Sequence, residues 1–126
     1  MRPLLLILLA SVVAACVNRE IVKPPESRRL ASEEIAAGLA SGNFREVLGA
    51  RAQLDGLRDD DWFAALAPMA HDSLPQHRLV ATIELSRRSL AAARALLTAL
   101  ARDPDETVRT EAQERLAVAA ASGGAP

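Results

Sequence analysis

Apolar positions along the chain follow two regimes. From Leu4 to Val13 they form one run, broken only by Ser11. From Leu30 onward Leu, Ile and Ala recur at spacings of three and four between polar turns, the period of a helix with one buried face. That spacing predicts helices over 31–41, 43–56, 60–71, 75–87, 88–101 and 105–120. The expected breaks carry suitable residues. Gly42-Asn43 separates the first two helices, with Asn43 as a cap, and Asp59-Asp60-Asp61 caps the third and complements its dipole. Pro75 and Pro104 sit where helices begin, a position proline tolerates.

The N-terminal run is too short to cross a bilayer. Ten helical residues reach ~15 Å, against a hydrocarbon core of ~30 Å that needs ~20 residues. Following Met1-Arg2, it has the length of a signal-peptide core. Val13-Ala14-Ala15-Cys16 comes next, and Cys16 is the only cysteine of the chain. This segment resembles the lipobox of bacterial lipoproteins: an aliphatic residue, two small ones, then the cysteine. The resemblance implies that the leader, residues 1–15, is cut before Cys16 and that the Cys16 thiol carries diacylglycerol. A further acyl chain on the new amine makes the anchoring stable, which a single chain does not. Two alternatives stay open at this stage, an ordinary secretory leader with Cys16 incidental and a membrane-anchored helix. Val17, rather than Asp, follows the cysteine. By the enteric sorting rule of that family, this points to the periplasmic face of the outer membrane rather than the inner membrane.

Residues 16–29 read as a lipidated N-terminus and flexible tether. Pro24-Pro25 blocks helix there and favours extended polyproline geometry. About 12 residues at ~3.1 Å each reach ~35–40 Å. The folded body is then 30–120, followed by a small, Gly-rich tail at 121–126 that is expected to be disordered.

Composition narrows the fold class to all-α. One Trp, two Phe and no Tyr leave aliphatic ridges packing into Ala-lined grooves, and the β-branched and aromatic residues are too few for a sheet. The net charge is −1, with both signs interspersed. Nucleic acid is therefore not expected as a partner, since that role needs a basic surface to displace counterions.

The body repeats itself. A shift of 31 residues places Leu66 on Leu97, Met69 on Leu100, Asp72 on Asp103, Arg78 on Arg109, Ala81 on Ala112 and Leu85 on Leu116. A further shift upstream lands on Ile35, Ala50 and Leu54. Three degenerate copies of a helix pair follow. The clearest copy runs from Leu96 to Arg109 and continues through Ala112 and Leu116. These residues resemble the HEAT repeats, including the short variety of bilin-lyase-like proteins. The resemblance implies a short right-handed solenoid of about three antiparallel helix pairs. It also implies a ladder in which turn carboxylates Asp72 and Asp103 and basic residues Arg78 and Arg109 bond across neighbouring repeats. The first copy has Ser41 and Val47 at those places, so the ladder should end there. A tetratricopeptide-like stack and a plain helical bundle are the alternatives. The last helix has one apolar stripe of Val108, Ala112 and Leu116 amid polar residues, as a terminal cap requires.

Candidate chemistry is sparse. His71 and His77 flank a turn without a Cys, Asp or Glu at zinc-binding spacing. No nucleophile elbow or phosphate loop is present, and neither a cofactor nor a metal is expected. Trp62-Phe63 is the one aromatic cluster. It is expected either to be buried beneath a neighbouring helix or, if exposed, to be a partner's contact point. Three roles are in play: a membrane-anchored protein-binding scaffold, an accessory subunit or enzyme of the HEAT-like lyase type, and a passive structural lipoprotein. Repeat stacking favours the scaffold, with a protein partner and without catalysis. A deep polar pocket with converging acids would favour the enzyme.

Overall fold

In the computed structural model the described residues are 26–122, with side chains from residue 31 onward. They are all-α, with six helices and no strand among them: α1 (Glu26–Ala40), α2 (Phe44–Asp55), α3 (Asp59–Ala70), α4 (Pro75–Leu85), α5 (Ala91–Leu100) and α6 (Glu106–Ala121). The leader, Cys16, residues 17–25 and residues 123–126 lie outside the described residues.

Two boundaries differ from the periodicity. α1 starts at Glu26, inside the span expected to be a tether. Pro24-Pro25 excludes helix from its own positions, but the residues after a proline are free to enter one. The second difference lies at Ser86–Leu90, which joins α4 to α5 instead of belonging to them. There the Ser86 hydroxyl donates to the Ile83 carbonyl at 2.7 Å, and the Arg87 amide donates to Glu84 O at 3.1 Å. These bonds close α4 locally.

Two helices, α2 and α6, start on a side-chain cap, and α3, α4 and α5 do not. Asn43 Oδ1 accepts from the amides of Arg45 (3.0 Å) and Glu46 (3.4 Å), and Asp105 Oδ1 accepts from Val108 N at 3.0 Å. The α3 start is a correction. Asp59, Asp60 and Asp61 fill its first turn and complement the dipole, but the N-cap is Arg58, without a side-chain cap bond.

The core is one largely aliphatic cluster that includes Trp62. Trp62, Leu54, Leu66, Leu85 and Val108 are fully buried, and Ala65, Ala70, Ala81, Ala93 and Ala112 fill the spaces between larger side chains. α4 packs on α3, α5 and α6, while α5 packs on α3 and α6. α2 touches α3 and reaches α4 by long side chains rather than by backbone approach.

Within 31–122, α1 and α2 meet at Gly38. A Cβ there would stand 2.8 Å from Ala50 Cβ, closer than real side chains come, so the glycine is what lets the helices touch. The following turn needs Gly42, whose φ is +73°. Gly38→Val is expected to lower stability by about 2 kcal/mol through overpacking. Thermal melts followed by circular dichroism should show a fall of roughly 10 °C; an unchanged melting temperature would place α1 away from α2.

Candidate interaction surface

Of the four charged residues that the 31-residue shift aligns, Arg78 and Asp103 meet across the helix turns. Arg78, on the first turn of α4, donates from Nε to Asp103 Oδ2 (2.8 Å) and from Nη2 to Asp103 Oδ1 (3.0 Å), a bidentate pair. Its Nη1 donates backward to the carbonyls of Asp72 (2.9 Å) and Ser73 (3.0 Å). One guanidinium thus closes the α3–α4 turn and grips the α5–α6 turn. Asp103 is 7% exposed, and its Oδ1 also accepts the Asp105 amide at 2.9 Å. The guanidinium beside it and that amide hold the Asp103 carboxyl below its ordinary 3.8, against the opposing effect of burial. The same contact raises Arg78 further above the usual arginine range.

The outer members of the series are partnered differently. Arg109 uses Nη1 alone, donating to the carbonyls of Asp103 (2.8 Å) and Pro104 (3.4 Å). Its Nε and Nη2 have no partner among the described residues. Asp72 Oδ1 accepts the Leu74 amide at 2.8 Å, and Oδ2 lies 3.1 Å from His77 Nδ1. The amide bond and then His77 lower the Asp72 carboxyl below its ordinary 3.8.

A second charge network binds α2 to α4. Glu84 is 1% exposed. Its Oε1 accepts Arg51 Nε at 2.9 Å and its Oε2 accepts Arg87 Nη1 at 2.8 Å. Arg87 also reaches Asp55 at 3.0 Å, and Glu84 and then Asp55 raise its pKa above the ordinary value. Arg88 pairs with Asp59 at 3.0 Å and donates to the terminal α2 carbonyls of Leu54 and Asp55. Its guanidinium stacks 4.9 Å from the Trp62 ring centroid. The repeat spacing does not identify this network. The signal for it was a lone carboxylate, Glu84, in the apolar stretch Leu79-Val80-Ala81-Thr82-Ile83-Glu84-Leu85, since a buried charge needs a partner.

Trp62, at 1% exposure, is withdrawn from any surface, because the helices around it and the stacked Arg88 enclose the indole. Phe63 is half-buried against the same core. Trp62 therefore takes the buried place, with Phe63 partly buried beside it. The exposed apolar surface lies elsewhere. Phe44 (75%) and Leu48 (46%) stand one turn apart on α2, and Gly49 and Ala52 are exposed beside them. A cavity of about 40 Å³ between the α4–α5 link, α5 and α6 is lined by Arg88, Arg94, Leu97, Arg115 and Leu116 among others. It has room for a few waters rather than a substrate. Among the described residues no group of His, Cys, Asp or Glu is placed to hold a metal, and no helix is long and apolar enough to cross a membrane.

Two substitutions test the networks. Glu84→Ala leaves Arg51 and Arg87 facing a buried gap, and breaking a buried pair in this way should cost about 3 kcal/mol, read as a lower midpoint in urea. For Asp103 the sign follows from its lowered folded value. The unfolded chain binds the proton more tightly, so the carboxylate stabilises the fold above about pH 4 and loses that contribution as pH falls through the folded value. The melting temperature should hold from pH 7 to about 5 and drop below about 4. Asp103→Asn should melt lower at pH 7 and show a shallower acid decline; parallel curves for the two proteins would remove Asp103 from this role.

Comparison with protein-family models, with curated proteins and with solved structures finds no match to this chain.

Proposed function

We propose that this chain is a lipid-anchored protein of the bacterial cell envelope that serves as a small helical-repeat scaffold for a protein partner. The address rests on the sequence: a short apolar leader and Val13-Ala14-Ala15-Cys16, with acylation of the unique Cys16 and placement on the periplasmic face of the outer membrane. The HEAT-like reading, a right-handed stack of three helix pairs, is supported by the 31-residue spacing and by the Arg78 fork joining consecutive turns.

The binding role is carried by one observation, the unpartnered apolar face of α2. Phe44 and Leu48 stand out one turn apart on the first helix pair, whereas α6 at the other end exposes the polar Thr110, Gln113 and Glu114 together with a single large apolar side chain, Val118. A repeat stack needs a polar outer face where it meets water. The first two turns of α6 meet that need better than α2, where two large apolar side chains stand together, so the α2 face is the favoured place for a partner.

In-cell crosslinking of the full-length protein, followed by purification and mass spectrometry, tests this. One dominant envelope protein is expected, with its yield falling about tenfold in Phe44→Glu/Leu48→Glu. Retention of that partner by the double variant would remove α2 from the interface. Cys16→Ser is expected to move the protein from the washed membrane fraction to the soluble one; persistence in the membrane would sink the anchor.

A further inference from the structure

The ladder at the helix turns contains one complete rung and two incomplete halves. In the complete rung, the Nε and Nη2 of Arg78 grip the carboxylate of Asp103, which is itself held by an amide two residues on. Arg109 repeats the donor half. Its Nη1 is bound to the carbonyls of its own turn as in Arg78, and Nε and Nη2 are left without a carboxylate among the described residues. Asp72 repeats the acceptor half. Its Oδ1 takes the Leu74 amide just as Asp103 takes that of Asp105. Its Oδ2 faces only His77 Nδ1, at 3.1 Å, and no arginine reaches the carboxylate among the described residues, because Val47 stands 31 positions before Arg78. The Asp72 side chain keeps 35% of its surface exposed, and Leu74 beside it is 50% exposed.

We propose that these halves complete each other between two copies of the chain, the Arg109 fork of one gripping the Asp72 carboxylate of the next. The donor half lies on the first turn of α6 and the acceptor half at the α3–α4 turn, so the two patches differ and the contact, being heterologous, can propagate along a row of copies. Exposed ion pairs are individually weak. The contact therefore depends on crowding, which the lipid anchor supplies by confining copies to one surface and so raising their effective concentration. In this respect the inference rests on the anchoring proposed above.

The test uses full-length protein in cells and a bis-maleimide crosslinker. Leu74→Cys is placed on one tagged chain, beside the acceptor, and Thr110→Cys on a second chain, beside the donor. Co-expression should give a mixed adduct, and either chain alone should give little. Adding Arg109→Glu to the Thr110→Cys chain should reduce the adduct about tenfold. Adding Asp72→Arg to the Leu74→Cys chain should then restore it, a rescue that misfolding of either variant cannot produce. No adduct, an adduct indifferent to Arg109→Glu, or a loss without rescue would overturn the proposal. Failure of the anchoring is read separately: an unacylated Cys16 would crosslink in chains that carry neither introduced cysteine.

Discussion

The guanidinium of Arg78 is the contact on which the arrangement of α3 to α6 depends. Four of its hydrogen bonds run in two directions, to the carbonyls of the turn before its own helix and to the carboxylate of the next turn. Carbonyls at a helix end otherwise need water or a cap, so a single side chain satisfies one turn and sets the spacing to another. A lysine would bring the charge but not the planar fork that does both. Around this contact the core is aliphatic, and alanines at Ala81, Ala93 and Ala112 let the helices approach closely.

At the first helix pair the joining device changes. Val47 cannot do what Arg78 does, and α2 is held to α4 instead by Glu84, enclosed between Arg51 and Arg87. A buried carboxylate is costly unless fully paired, and no buried side-chain polar atom among the described residues lacks a hydrogen-bond partner. Such a joint gains its strength from geometry more than from apolar area. This is consistent with α2 keeping Phe44 and Leu48 in solvent while Leu54 is wholly buried.

Much of this architecture was legible because helix period and repeat period act locally. The 3.6-residue pattern located all six helices to within a few residues apart from the start of α1, and the 31-residue shift aligned Asp72 with Asp103 and Arg78 with Arg109, of which Arg78 and Asp103 bond across turns. What stayed hidden depended on partners far along the chain. Arg51 meets Glu84 across 33 residues and Arg88 meets Asp59 across 29, with no periodicity to mark them. The same pairings shape Ser86–Leu90, where Arg87 and Arg88 turn toward α2 and α3, so a stretch free of strong helix breakers still leaves the helix. The sequence favoured burial of the Trp62-Phe63 pair but left a surface role open, and the enclosure of the indole decides it for Trp62.

That enclosed indole makes the molecule its own optical reporter. Trp62 is the only tryptophan and the chain has no tyrosine, so near-ultraviolet emission comes from one ring at the junction of α3 with Arg88, whose other bonds reach the end of α2. Loosening of that junction admits water to the ring and withdraws the cation, and both events change the colour and yield of a single fluorophore. Opening of the first helix pair can thus be watched in real time, in the wild-type chain and without a label.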